Sequence, residues 1–338
     1  MFASEAALED ALSEPTPAVI ETLRRLDGDL VVLGVAGKMG PSIARMAKRA
    51  FDAAGVMRRV IGVSRFSSGG EAELHAHGID TVRCDLLNED DVAQLPNAPL
   101  VLYLAGKKFG STGDEPTTWA QNAYLPGLIG RRYRHSRIVA LSTGNVYGLT
   151  PISHGGSVET DALQPVGEYA MSCLGRERIF QYVSQTHGTP VALVRLNYAC
   201  DLRYGVLVDI AQQILAGQPV DVSMGAFNTI WQGDANATTL CALAHAASPA
   251  WVVNVTGPEI LSVRTVGQQL GRLLTRAVQF TGTEGTTAVL SNPRRALELC
   301  GPPRMNAEQL IAAVADWLQR GGRTLNKPTH FESRDGRF

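Results

Sequence analysis

Short apolar runs recur through the first part of the chain, each closed by a glycine, a charge or a turn residue. Residues 30–33, 60–63, 81–83, 100–104, 138–141 and 191–196 read as strands. Between the first two, Ile43, Met46, Ala47, Ala50, Phe51 and Ala54 repeat at helical spacing, with Pro41 in the first turn, where its missing N–H costs nothing. Strands apolar throughout, alternating with helices, imply a parallel sheet covered on both faces. Right-handed crossovers then predict a doubly wound α/β fold of Rossmann type with a smaller C-terminal substrate domain.

After Leu196 the rhythm changes. Ser262 is placed to cap a helix with Val263, Val266, Leu270, Leu273 and Leu274 on one face, and Asn306 another with Leu310, Ile311, Val314, Trp317 and Leu318. The expected organisation is an N-terminal helical extension (1–28), a dinucleotide-binding domain (29–196), a smaller substrate-binding part (197–325), with room for some of its elements to return to the sheet, and a polar tail (326–338).

Composition narrows the function classes. The formal net charge of -1 gives no long-range field to gather nucleic acid or an anionic membrane, so neither is expected as a partner. No apolar run is long enough to span a bilayer. The five cysteines (Cys84, Cys173, Cys200, Cys241 and Cys300) are odd in number and lack metal-ligand spacing, so no metal site is expected. With opening residues Met1-Phe2-Ala3-Ser4-Glu5 too acidic for an export signal, a reducing cytoplasm is the expected compartment.

The first strand runs into Gly34-Val-Ala-Gly37-Lys38-Met39-Gly40, then Pro41 and the helix. Glycines at this spacing give a tight turn, close approach of a pyrophosphate, and helix packing on the strand, while the helix start offers free N–H groups. At the end of the second strand stands Ser64-Arg65, where a ribose-binding acid is usual for NAD. A hydroxyl beside an arginine suits a 2′-phosphate, so NADP is preferred over NAD. Asp85-Leu86, after the third strand, is expected near the adenine.

Gly34/Gly37/Gly40, Asp85-Leu86, Leu104-Ala105-Gly106, Ser142-Thr143-Gly-Asn-Val-Tyr147-Gly148 and Tyr169 follow in order at suitable separations. Together they resemble the extended short-chain dehydrogenases, the NAD-dependent epimerase/dehydratase group, over roughly residues 29–318. The resemblance implies that Thr143, with Ser142 as second candidate, binds the reacting oxygen, and that Tyr169 is the acid/base of a Y-x-x-x-K motif. Here that motif reads Tyr169-Ala-Met-Ser-Cys173, so a cysteine stands in the lysine position. A neutral thiol cannot stabilise a tyrosinate, and a thiolate would raise the tyrosine pKa.

Two cations are candidates to replace the lysine. Lys108, in Ala105-Gly106-Lys107-Lys108, resembles a family segment beside the nicotinamide ribose, and Arg176 shares a helix face with Tyr169 and Cys173. Lys108 is the favoured one, and its position is the discriminator: directed at the tyrosine it supports an enzyme, directed at solvent a sensor. The cofactor set expected from the resemblance is Gly34, Gly37, Lys38, Met39, Gly40, Ser64, Arg65, Asp85, Leu86, Ala105, Gly106, Lys108, Asn122, Tyr169 and Cys173. Asn197 and Arg203 are candidates to bind substrate hydroxyl or carboxylate groups, His154 falls in a loop, and Asp234 reads as structural.

Two functions remain open: an NAD(P)-dependent oxidoreductase or epimerase acting on a sugar or sugar-acid derivative, and a non-catalytic dinucleotide-binding sensor or partner-binding protein. The resemblance also implies a homodimer formed through the helix around Asn122 and the one bearing Tyr169, with Pro126 as a possible kink in the first.

Overall fold

The computed structural model describes residues 2–337, so Met1 of the extension and Phe338 of the tail lie outside the described residues. The six expected strands form: β1 (Leu30–Leu33), β2 (Val60–Ser64), β3 (Asp80–Arg83), β4 (Leu100–Tyr103), β5 (Arg137–Thr143) and β6 (Val191–Leu196). A seventh, β7 (Trp251–Val255), comes from the 197–325 part and pairs with β6. All pairings within the sheet are parallel, in the order β7-β6-β5-β4-β1-β2-β3. This is the doubly wound Rossmann arrangement, and its direction of winding reverses between β1 and β4.

Alternation along β1 explains why a continuous apolar run is needed. Val31 and Leu33 enter a layer with Leu125, Ile129 and Phe180, whereas Leu30 and Val32 enter the opposite layer with Ile43, Ala47 and Phe51. All these side chains but Leu125, which is 3% exposed, are fully buried. Each of these but Ala47 contributes about 1.5–3 kcal/mol by leaving water, against the entropy of fixing the chain.

The helix caps follow the sequence. Ser262 accepts from the Thr265 N–H, and Asn306 forms a reciprocal capping box with Gln309. The Asn122 region adopts a π-helical turn (Ala120–Tyr124) running into the Leu125–Arg132 helix. Pro126 stands at the start of that second helix, where the π turn accommodates its missing donor.

The N-terminal extension makes two helices, Glu5–Leu12 and Pro17–Arg25. Val19 and Leu23 join the layer around Phe51, while Leu8 and Leu12 enter a separate core with Val206, Ile210, Leu270 and Val314. The segment read as a polar tail is packed instead. Phe331 is 1% exposed against Phe227, and Arg334 donates to the Thr287 carbonyl at 2.8 Å. Thr329 and Arg334 find partners across the fold, a pairing that polarity alone does not reveal.

Candidate active site

The loops at the carboxyl ends of β1 and β4 open two cavities at the switch point, of about 250 and 260 Å³. Gly34, Gly37 and Leu104 line both, so the glycine turn is the partition between them. Ligands of open α/β sheets bind at this point because the loops diverge there.

The turn has the shape a dinucleotide pyrophosphate requires. Gly34 has φ +84°, and a Cβ on it would lie 2.9 Å from Ala105 Cα. A Cβ on Gly40 would lie 2.0 Å from the Val35 carbonyl oxygen, so the Gly40–Ala53 helix reaches the strand only without one. No side chain caps this 14-residue helix, which leaves its first N–H groups for an anion. Ser64, Arg65, Asp85, Leu86, Ala105 and Gly106 gather in the second cavity, joined by Ser67 and Ser68. Arg65 is exposed there, without an ion pair among the described residues. The residues present fit a dinucleotide.

The first cavity holds Lys38, Met39, Gly40, Lys108, Ser142, Thr143 and Tyr169. Thr143 Oγ1 accepts from the Asn145 N–H at 3.2 Å and from Asn145 Nδ2 at 2.9 Å. Both its lone pairs are thereby used, and its proton is left for the hydrogen bond with Tyr169. Tyr169 also hydrogen-bonds the Cys173 thiol. Burial pushes the Tyr169 hydroxyl well above the ordinary range, and Cys173 adds to the shift. Arg176 and the Thr143 hydrogen bond oppose it without reversing it.

Lys108 turns into the cavity. Its Nζ stands 5.8 Å from the Tyr169 ring centroid and donates to the Thr329 carbonyl at 3.1 Å. Burial lowers its pKa to about 8. The second candidate cation, Arg176, lies behind the cavity. It donates to the Leu141 carbonyl at 2.7 Å and to Asn122 Oδ1 at 2.6 Å. A Cβ on Gly106 would come within 2.2 Å of Arg176 Nη2, so this glycine admits the guanidinium beneath the β4 turn.

Several expected residues serve the frame instead. Asn122 is fully buried, accepts from the Lys107 N–H and donates to the Lys107 carbonyl and to Ser172 Oγ, and lines neither cavity. Cys173 is also fully buried, packed with Val146 and Tyr147 behind Tyr169 rather than on the cavity wall. Ser142 donates to Glu177 Oε1 at 2.6 Å, and Glu177 is ion-paired with Arg195 at 2.7 Å. Arg203 is taken by Asp201 and by Glu9 of the N-terminal helix, at 2.9 and 2.6 Å. Asn197 reaches the wall, but its amide donates to Asn228 Oδ1 and the Val289 carbonyl. Asp234 pairs with Arg304, and His154 is exposed outside both cavities.

Among the wall residues that the sequence reading missed are Tyr198, Tyr204 and Thr329. Tyr198 has φ +47°, a left-handed turn that breaks the chain out of the sheet after β6. Thr329 had no local signal, because Asp209 holds it from across the fold through its N–H at 2.7 Å and its hydroxyl at 2.6 Å.

Residues 30–221 match the family model described as the NAD dependent epimerase/dehydratase family. Among solved structures, the UDP-glucuronic acid 4-epimerase from Bacillus cereus, in complex with UDP-glucuronic acid and NAD, superimposes with a TM-score of 0.70 at 17% identity. The match covers 86% of this chain and 99% of that one. The UDP-glucose 4-epimerase from Thermotoga maritima gives 0.71 at 16% identity, covering 87% and 99%. The dTDP-glucose 4,6-dehydratase from Bacillus anthracis, in complex with NAD, gives 0.71 at 16% identity, covering 87% and 97%. No curated protein sequence matches. With more than half its length in the family model and the glycine turn, Thr143 and Tyr169 at one switch point, the chain belongs to the NAD-dependent epimerase/dehydratase family.

Proposed function

We propose that the protein binds a nicotinamide dinucleotide across the glycine turn, with NADP preferred over NAD, and acts on a small carbohydrate-like substrate as an oxidoreductase or epimerase. The observation that carries this reading is that Thr143, Tyr169 and Lys108 line one cavity with the glycine turn. Solved relatives that bind or act on nucleotide-linked sugars support the carbohydrate class. The exposed Arg65 with Ser64, Ser67 and Ser68 supports the 2′-phosphate.

Gly34, Gly37, Lys38, Met39 and Gly40 would hold the pyrophosphate, and Ser64, Arg65, Asp85 and Leu86 the adenosine half. When bound, the dinucleotide supplies the hydride acceptor or donor. Thr143 donates its one proton toward the reacting oxygen or toward Tyr169. Tyr169 gives or takes the proton at its hydroxyl, with Lys108 supplying the positive field on the cavity side and Arg176 behind. These cations replace the missing lysine only partly, because burial still holds Tyr169 protonated.

That last point favours the second reading, a non-catalytic dinucleotide-binding sensor. The test is titration of NADP and NAD into the purified protein, followed by hydride exchange against sugars, sugar acids and sugar nucleotides. Turnover abolished by Tyr169→Phe supports the enzyme. Tight cofactor binding with no exchange from any substrate selects the sensor, and no cofactor binding refutes both.

A homodimer through the helices flanking the site is part of this reading. Trp119, Tyr124, Met171 and Tyr182 are exposed on those helices, an apolar set that a second copy would cover. Five cysteines without a disulfide support a reducing compartment such as the cytoplasm. Light scattering gives the mass.

A further inference from the structure

Two cysteines that line neither cavity of the site meet where two helices end. Cys241 is the last residue of the Gln232–Cys241 helix, and Cys300 the last of the Arg294–Cys300 helix. Their thiols hydrogen-bond each other, with Thr238 beside Cys300 and Thr22 beside Cys241. Thr238 and Cys241 lie three residues apart on one helix, so a single face carries both toward Cys300. Both cysteines stand as free thiols.

The two sulfurs differ in access and in acidity. Cys241 is 1% exposed, inside the core layer that holds Ala237, Leu240 and Ala296. Cys300 is half-buried and lines a small cavity of about 40 Å³ with Thr238 and Gly301. That is room for a molecule little larger than water. The hydrogen bond with Cys241 holds the Cys300 thiol below its ordinary value, while the same bond and burial push Cys241 up. The thiolate is the reactive form, so the first attack falls to Cys300, and Cys241 is placed to resolve it.

We propose that Cys241 and Cys300 form an oxidation-sensitive dithiol, which hydrogen peroxide converts to a disulfide that fastens the two helix ends together. The Cys300 sulfur attacks a peroxide oxygen: the S–O bond forms, the O–O bond breaks, and the departing hydroxide takes up a proton. The Cys241 sulfur then attacks Cys300. The S–S bond forms, the S–O bond breaks, and the leaving hydroxide carries off the Cys241 proton as water. The two thiols lose two electrons in all, and one peroxide becomes two waters. The pair is linked to the dinucleotide turn through its own helix. Gln232 and Asn236 donate to Ser42 Oγ, in the first turn of the Gly40–Ala53 helix, at 3.1 and 2.9 Å. The disulfide would therefore tie down the helix that buttresses the glycine turn.

The test is intact-mass measurement and peptide mapping of the full chain after limiting hydrogen peroxide, and again after dithiothreitol. The expected result is a loss of about 2 Da, one cross-linked Cys241–Cys300 peptide pair, and return of the original mass with dithiothreitol. Cys241→Ala is expected to stop at a Cys300 sulfenic acid that dimedone traps, and Cys300→Ser to give no cross-link. The oxidised chain is expected to unfold at a higher urea midpoint than the reduced one. All five thiols surviving peroxide would overturn the proposal, as would a cross-link through any other cysteine. So would Cys300 carried to the sulfinic acid with Cys241 still free, or an oxidised midpoint no higher than the reduced one. Mapping of the parent chain decides the pairing by itself, whatever the variants do to folding. No readout needs cofactor or substrate, so the result is independent of the function proposed above.

Discussion

The hydroxyl of Tyr169 shares a hydrogen bond with the sulfur of Cys173, and that contact raises the cost of removing the tyrosine proton. Cys173 is fully buried, with its own thiol pushed up by burial, so it offers no charge of either sign at neutral pH. An ammonium in its place would favour the tyrosinate. Cys173→Lys is therefore expected to raise hydride exchange at least about tenfold and to lower the pH at which activity appears. It would also bury a second cation near Arg176, at about 2–4 kcal/mol of stability. The checks are a pH–rate profile and the urea midpoint. An unchanged profile in a folded variant would remove Tyr169 from the proton-transfer step.

Arg65 and the serines around it form the end of the second cavity. One charge-assisted contact to a phosphate is worth about 1.5–3 kcal/mol, or roughly 10- to 100-fold in affinity. Arg65→Ala should weaken NADP by that factor and leave NAD within about threefold. Parallel titrations of the two cofactors decide it, and equal losses for both would mean that Arg65 does not read the 2′-phosphate.

Burial holds both Lys38 and Lys108 at about 8, below the ordinary lysine value of 10.5. The charged groups facing Lys38 include Asp201, Arg203 and Asp209, and those facing Lys108 include Asp209, Glu332 and Lys38, while the nearby Cys200 and Cys173 thiols stay neutral. The three tyrosines of the wall lie above their ordinary range and stay neutral in this window. An anionic group bound beside either lysine favours its ammonium form, so its affinity should be full below pH 8 and fall as pH rises through it. The bound anion raises the lysine pKa values, so binding near pH 8 to 9 should take up protons. Calorimetry in buffers of different ionisation heat measures that uptake, and proton release would contradict the sign.

The sheet was legible because its signal is local. The β1 and β4 runs are apolar on both faces, and the glycine turn, Ser262 and Asn306 announce their elements within a few residues. Thr143 and Tyr169 were found through the resemblance and do share a cavity. What stayed hidden depends on partners far along the chain. Arg203 reads as a free cation until Glu9 is seen beside it, and residues 326–337 read as solvated until Phe331 is seen buried. Asn122 was found by the same resemblance, but its hydrogen bonds turn inward to Lys107, Ser172 and Arg176. Sequence spacing locates such residues without saying which way they face.

The attachment of the C-terminal segment has its own pH signature. Burial raises the Asp209 carboxyl from the ordinary 3.8 to about 6, even with two hydrogen bonds from Thr329 favouring the charged form. The folded protein therefore holds this proton more tightly than the unfolded chain does. Below pH 4 both states are protonated and burying the group costs little. Between pH 4 and 6 the unfolded state ionises first, so stability falls as pH rises, and above 6 the full cost is present. Asp209→Asn keeps an oxygen to accept from Thr329 and removes the charge. It should flatten this part of the stability profile and leave the protein at pH 7 as stable as the parent or more so, by up to about 2–3 kcal/mol. Urea unfolding between pH 4 and 8 reads both effects. A variant that is less stable at every pH while keeping the parental slope would show that the carboxylate anchors Thr329 by charge and that another group titrates in this window.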